Sequence, residues 1–232
     1  MNKKILIKIS GELFKSDREA LDSEKVLAVA EEIKKAKRDD YDIGIVFGAG
    51  NIYRGRNVKE QGLDMSLAHY TGMMATIVNA LAFRNALSSL QINCRIVSKI
   101  GFPDVFGSSN PLDIQKYFQL GEVLIFAGGT GNPYVTTDTC AVVRALEMRA
   151  DFILKGTGVR GVYDADPRKN PVAVKFKEMD YATFLSMKES TIFDKTAMVM
   201  AYENRLPIYI FKWDKGSLRK AIKLKAGGTL IK

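Results

Sequence analysis

Three glycine-bearing turns and the cations beside them carry the chemistry legible in this sequence. "KISGE" places Lys8 at the end of an apolar run and Ser10 and Gly11 at the turn. "FGAGNIYRGR" holds Gly48, Gly50, Arg54, Gly55 and Arg56. "FAGGTGNPYVTTDT" (126–139) passes from two glycines through Thr, Gly, Asn and Pro into a helix-like segment. Glycine lets backbone N–H groups close on an anion, and a helix start adds the positive end of a dipole. One such turn is an ordinary strand-to-helix connection. Three of them after apolar runs, two with a cation inside, point to a phosphorylated ligand. No Gly-Lys dipeptide occurs anywhere, so a P-loop lysine cannot supply the charge to the third turn.

Two further motifs bear on the ligand. Gly156, Gly158 and Gly161 in "GTGVRG" match the spacing of a dinucleotide fingerprint, but "VYDADPRKNP" follows. That fingerprint needs a helix next, and this segment cannot form one, so a nicotinamide enzyme ranks low. "GVYDADPRKNP" offers an aromatic face at Tyr163 and carboxylates at Asp164 and Asp166, with Pro167 setting the turn. This is either an Asp-Pro turn with a packing tyrosine or a place for an adenine and its ribose.

Short apolar runs alternate with helical patterns. "KILIKIS" (4–10), "DIGIVFG" (42–48), "INCRIVS" (92–98), "EVLIFAG" (122–128), "DFILKG" (151–156) and "PIYIFK" (207–212) read as strands buried on both faces, and "GGTLIK" as a last short one. Ser23 can cap a helix whose face is Val26, Val29, Ala30 and Ile33; a long apolar pattern spans 63–90; others start near Asp113, Thr137, Asp194 and Gly216. The segment 158–180 reads as a hairpin excursion. The expected fold is α/β, a three-layer α/β/α sandwich with a mostly parallel central sheet, and its ligands belong at the carboxyl ends of the strands.

The 232 residues suffice for a sizeable core, and 47% apolar with 26% charged residues is ordinary for a globular chain. No apolar run reaches the ~18 residues of a membrane span, and the basic start "MNKKILIKIS" fits a strand better than a signal peptide. Cys94 and Cys140 make neither a disulfide framework nor a metal site, so a reducing cytoplasm is expected. The net charge of +9 suits a polyanion, although a lysine-rich surface accounts for it equally well. No nucleic-acid-binding signature accompanies it, so nucleic acid is not an expected partner.

In this order, "KISGE", "GAGNIYRG", "GGTGNPYVTTD" and "GVYDADP" resemble the bacterial uridylate (UMP) kinases of the amino acid kinase family, over essentially the whole chain. "GTGNPYVTTD" is the most specific part, since it separates UMP kinases from family members that phosphorylate amino acids. The resemblance implies in-line transfer from ATP to UMP, giving UDP for pyrimidine nucleotide synthesis, with Mg²⁺ accompanying ATP and no metal held by the protein itself. It implies that Lys8, Ile9, Ser10, Gly11, Gly50 and Arg54 hold the ATP phosphates, and Thr157, Tyr163 and Asp166 the adenosine. UMP is expected against Ala49, His69, Thr130, Gly131, Asn132, Pro133, Tyr134, Val135, Thr136 and Thr137. Lys8, Asp138 and Arg54 form the implied catalytic set, with Asp138 organising the lysine. The resemblance further implies one domain over 1–232, with the UMP part mainly 1–150 and the ATP part mainly 151–232, a homohexamer built as a trimer of dimers, and feedback inhibition by UTP. "FKSDREALD" (14–22) is shorter than the glycine-bearing loop of GTP-responsive members, so activation by GTP is not expected.

Three positions depart from the family pattern. His69, the only histidine, stands where the family carries an aspartate that contacts the UMP ribose. It is either a helix residue without a ligand role or an imidazole replacing the carboxylate as a hydrogen-bond partner. Ala49 replaces the second glycine of "GGGN", and its methyl is tolerated only if the backbone keeps an ordinary φ. Arg160 adds a cation in "VRGVY". Two other readings stand beside UMP kinase: a relative acting on a carboxylate or carbamate, and a non-enzymatic nucleotide-sensing or DNA-binding regulator.

Overall fold

A computed structural model describes residues 2–39, 41–53, 62–167, 169–187 and 192–232. Its strands are β1 (Lys4–Ile9), β2 (Asp42–Phe47), β3 (Cys94–Ser98), β4 (Val123–Ala127), β5 (Phe152–Thr157), β6 (Glu178–Met179), β7 (Ile208–Lys212) and β8 (Thr229–Ile231). They form one sheet in the order β3-β4-β2-β1-β5-β7-β8-β6. Among the pairs of named strands only β7 with β8 is antiparallel. The helices are α1 (Ser23–Lys37), α2 (Met65–Ser89), α3 (Pro111–Gln119), α4 (Thr137–Met148), α5 (Tyr181–Ser186), α6 (Lys195–Glu203) and α7 (Ser217–Ile222).

Side chains alternate across a strand, and this parity sorts the layers. Ile5, Ile7 and Ile9 of β1 pack with Val29 and Ile33 of α1, Ile77 and Phe83 of α2 and Leu218 of α7. Leu6 packs on the other face with Ile114 of α3, Ala141 of α4, Phe184 of α5 and Ala197 of α6. Helices therefore cover both faces, as a parallel sheet requires. An aromatic knot of Phe14, Phe47 and Phe83, with ring centroids 4.9 to 5.9 Å apart, sits just below the first two glycine turns. Each ring is nearly or fully buried, a burial worth roughly 2–3 kcal/mol per side chain.

Several boundaries differ from the sequence expectation. Asp22, not Ser23, caps α1, because its Oδ1 accepts from the N–H groups of Glu24 and Lys25 at 2.9 and 3.1 Å. α3 begins at Pro111 rather than near Asp113, with Asn110 accepting from Leu112 N–H. The one-turn 3-10 helix Gly11–Phe14, the short α5 and the two-residue β6 were too brief to leave a periodicity. The 158–180 excursion pairs through a single antiparallel bridge, Tyr163 with Lys175. It then returns as β6 to the edge of the main sheet, parallel to β8.

Candidate active site

The sheet order brings β4, β2, β1 and β5 side by side, so the segments after them share one edge. These are Ser10–Gly11, 48–51, 128–136 and the turn from Gly158. Gly48 N–H donates to the Ile9 carbonyl at 2.9 Å. A Cβ at Gly11 would lie 2.5 Å from the Gly48 oxygen and 2.3 Å from Asn51 Oδ1, so the first two turns touch and only glycine fits at position 11. Ala49 is not among the positive-φ residues, and its methyl needs no strained backbone.

Lys8 faces α4, because it shares the parity of Leu6 on β1. Lys155 is its register partner on the parallel neighbour β5 and faces the same way. Thr136 caps α4, accepting from the N–H groups of Asp138 and Thr139 at 3.1 and 3.2 Å, and this cap aims Asp138 at the two lysines. Lys155 Nζ donates to Asp138 Oδ2 at 2.6 Å. Lys8 Nζ lies 3.0 Å from Oδ1, an ion-pair contact whose direction leaves Oδ1 without a hydrogen bond of good geometry. All three residues are over nine-tenths buried.

The electrostatics follow from that geometry. Burial pushes the Asp138 carboxyl up, but Lys8 and Lys155 outweigh it and hold the group at about 2. Burial pushes Lys155 down, Lys8 pushes the same way, and Asp138 only partly restores it, leaving about 8. Phe193, with its ring centroid 4.8 Å from Lys155 Nζ, adds a cation–π contact. Two cations and one anion therefore sit at the strand ends with net positive charge, the arrangement an anionic reacting group requires.

Lys155 was missed in the sequence, although a lysine inside the apolar run "DFILKG" is an anomaly that points to it. Asp194 was missed as well. It caps α6 through Ala197 N–H at 2.8 Å, and it accepts from the hydroxyls of Thr136 and Thr139. Asp194 thus ties α6 to the start of α4. Trp213 donates its backbone N–H to the Thr157 carbonyl at 2.9 Å, and its ring lies where a Cβ at Gly156 would meet it at 2.5 Å.

A cavity of about 250 Å³ lies between α2 and the 128–136 loop, and its lining residues Thr136 and Thr137 directly precede Asp138. Ala49, His69, Val135, Thr136 and Thr137 line it, with Met73 and Thr76 of α2. Thr130, Gly131, Asn132 and Pro133 belong to the same loop but are not in the lining. Tyr134, at φ 65, reaches back over α2: its ring centroid is 5.1 Å from that of His69, and its hydroxyl is 3.0 Å from Ser66 Oγ. His69 therefore has a definite packing partner at the cavity mouth.

The remaining candidate residues are placed as follows. The Ile9 side chain is wholly in the core. Ser10 makes no side-chain cap to the following turn. Gly50 lies in the turn whose Ala49 carbonyl accepts from Ile52 and Tyr53 N–H at 3.0 and 2.9 Å. Thr157 Oγ1 is engaged within its own turn, donating to the Val159 carbonyl at 2.8 Å. Tyr163 is half-buried, and the Asp166 carbonyl accepts from Lys169 and Asn170 N–H. Arg160 is exposed. Arg54 lies outside the described residues.

Among the described residues no group of three or more His, Cys, Asp or Glu side chains could hold a metal ion. Both Asp138 oxygens face lysines. The described donor set does not fit an ion held by the protein alone, and no described helix is long and apolar enough to cross a membrane.

Known proteins resemble this chain over its whole length. Residues 3–212 match the amino acid kinase family. A uridylate kinase of Shewanella amazonensis is 40% identical over 232 residues, covering 99% of this chain and 96% of the relative. The crystal structure of UMP kinase from Ureaplasma parvum superposes with a TM-score of 0.93 at 38% identity, covering 100% of this chain and 99% of that one. The crystal structure of UMP kinase from Bacillus anthracis superposes equally well, with a TM-score of 0.93 at 32% identity, over 99% and 95% of the two chains.

Proposed function

Because this chain belongs to the amino acid kinase family, we propose that it is a UMP kinase, transferring the γ-phosphoryl group of ATP to UMP in pyrimidine nucleotide synthesis. The observation that carries this reading is that Thr137, in the lining of the Ala49–His69–Val135–Thr137 cavity, directly precedes Asp138, which holds Lys8 and Lys155. UMP occupies the cavity, with threonine hydroxyls and backbone groups of the 128–136 loop against its pyrimidine edge. ATP lies over the first two turns, its phosphates on Gly11, Gly50 and Lys8, and its adenosine toward Thr157, Tyr163 and Asp166. The UMP part is then mainly 1–150 and the ATP part mainly 151–232 of a single domain.

Phosphoryl transfer asks the protein for position and charge more than for covalent chemistry. Lys8 follows the transferred group as a compact cation. Lys155 adds a second, and Asp138 holds both in place. Arg54, by the family resemblance of "GAGNIYRG", is assigned to the phosphate oxygens. Mg²⁺ enters with ATP, held chiefly by phosphate oxygens. UTP feedback and a cytoplasmic setting complete the proposal, without activation by GTP. A screen of nucleoside monophosphates with ATP and Mg²⁺ tests it. UMP should be the preferred acceptor over CMP and dUMP. Turnover of glutamate, aspartate or carbamate instead would favour the sister activity.

The charge on Lys155 makes a pH prediction with two signs. The rate should fall above about pH 8, approaching tenfold per unit, as the buried ammonium deprotonates, and Lys155→Arg should shift that limb to higher pH because guanidinium stays charged. Stability moves the other way. The unfolded lysine keeps its proton up to its ordinary 10.5 and the folded one only to about 8, so this group adds stability as pH rises through that window. A rate flat to pH 10 in a folded enzyme would refute the role.

His69 carries a smaller prediction. Imidazole lacks the second oxygen of a carboxylate. His69→Asp should therefore lower KM for UMP about fivefold, the equivalent of one hydrogen bond of roughly 1 kcal/mol. A KM that is unchanged or higher would leave His69 as a packing partner of Tyr134.

The long helix supports a homo-oligomer. Leu67, Tyr70, Met74, Val78 and Leu81 form an exposed stripe along α2, each 42% to 67% accessible. A second copy of the chain covering this stripe fits a dimer within the proposed trimer-of-dimers hexamer. Sedimentation at micromolar concentration should show the assembly, and Met74→Glu with Val78→Glu should break it into smaller species. A monomeric parent protein would refute the assembly.

A further inference from the structure

On α2, two buried polar side chains stand out from an apolar face: Thr76, 4% exposed, and Asn79, 0% exposed. They lie one helical turn apart. A hydroxyl and a carboxamide are tolerated inside a core only when their hydrogen-bonding capacity is met, and here it is. Thr76 Oγ1 donates to the Met73 carbonyl at 2.7 Å and accepts from Gly128 N–H at 3.0 Å. Asn79 Nδ2 donates to the Gly48 carbonyl and to Asn51 Oδ1, both at 2.9 Å, and its Oδ1 accepts from Asn51 Nδ2 at 2.9 Å. Asn51 Nδ2 also donates to the Ala20 carbonyl at 2.9 Å. The amide orientations follow from chemistry, since the Gly48 and Ala20 carbonyls can only accept.

The partners of these side chains are the turns on which the site is built. Gly128 is the first residue after β4 and opens the loop lining the cavity. Gly48 is the first residue after β2 and opens the turn that touches Gly11. One turn of α2 therefore grips both. Strand ends alone leave such turns several backbone conformations. Gly128 takes a left-handed φ of 72, and the Thr76 hydroxyl holds its N–H while it does so.

We propose that Thr76 and Asn79 are positioning residues, which set the distance between the UMP cavity and the ATP phosphate turns. The inference rests on the kinase reading. In-line transfer is sensitive to placement, and a shift of about 1 Å from a remote change lowers rates on the order of 100-fold.

The test uses conservative variants of the full chain. Thr76→Val keeps the shape but cannot accept from Gly128 N–H, whereas Thr76→Ser retains the hydroxyl. Asn79→Asp keeps the acceptor toward Asn51 but turns a carboxylate oxygen against the Gly48 carbonyl. Thr76→Val is expected to raise KM for UMP at least ~5-fold, the worth of one buried hydrogen bond, and Thr76→Ser to return it within about twofold. Asn79→Asp is expected to lower kcat at least ~10-fold, short of the full misplacement effect. Thermal midpoints measured in parallel separate a merely structural role, which would lower Tm and leave kcat and both KM values unchanged in the folded fraction. Folded variants with all three constants within twofold of the parent would overturn the proposal. Should Asn79→Asp not fold, the Thr76 pair decides it. A parent protein that does not phosphorylate UMP at all would instead defeat the kinase reading, and that is seen before any variant is made.

Discussion

Lys8→Ala lowers kcat by at least ~100-fold, the scale of losing one preorganised charge contact to a transition state, with KM for UMP changed only a few-fold. Lys8 Nζ is near the carboxyl end of β1 and 3.0 Å from Asp138, and Lys8 is not in the lining of the cavity. Its removal therefore takes away charge met by the transferred group, and little that UMP touches in the ground state. The fold survives, because Asp138 keeps its 2.6 Å partner Lys155. Steady-state kinetics with circular dichroism checks this, and Lys8→Arg serves as a control that keeps the charge but not the compact ammonium. A folded Lys8→Ala enzyme with unchanged kcat would remove Lys8 from the mechanism.

Asp138→Asn has a comparable effect on rate and a larger one on stability. Removing the anion leaves Lys8 and Lys155 buried against each other, and breaking a buried ion pair by removing one partner destabilises by about 3–5 kcal/mol. Lys155 limits the loss, because a group already down to about 8 drops further and goes neutral. The variant thus holds fewer protons than its unfolded chain over a wider range, and its stability rises with pH from neutrality toward 10.5. The parent shows a separate acid effect. Its Asp138 sits at about 2 against an ordinary 3.8, so the stability from this carboxylate is present above the unfolded value and is lost as pH falls through that interval. Urea unfolding at pH 6, 8 and 10 checks the rise in the variant, and unfolding of the parent between pH 4 and 2 checks the acid loss. A variant with parental stability and a flat pH dependence would mean that the carboxylate does not hold the lysines.

Much of the site was legible because it lies in contiguous segments. Lys8 precedes its glycine turn, Asp138 opens a helix right after the Thr-rich loop, and both turn chemistry and helix starts are local signals. Lys155 shows the limit of such reading. Its strand was recognisable, but its meeting with Lys8 depends on β5 pairing with β1 in one register, and a one-residue slip would turn it to the opposite helix layer. The amide pair of Asn51 and Asn79 was hidden for a related reason. An asparagine inside an apolar helix pattern is an anomaly without a visible partner until α2 is packed over the second turn. His69 is legible in the sequence as a departure, but its contact with Tyr134 requires the loop to fold back with a left-handed residue.

By itself the sequence determined the layered α/β class, the three glycine turns, the lysine and aspartate at strand and helix ends, and a family resemblance that the comparisons support. These rest on periodicity, capping and turn preference, which act over a few residues. Only the tertiary structure decided that a second lysine completes the charge cluster, that Asp194 braces the start of α4, and that one turn of α2 grips the turns after β2 and β4. Those contacts join segments distant along the chain. They arise from strand register and from the demand that every buried polar group find a partner, and both are properties of the packed sheet rather than of any one segment.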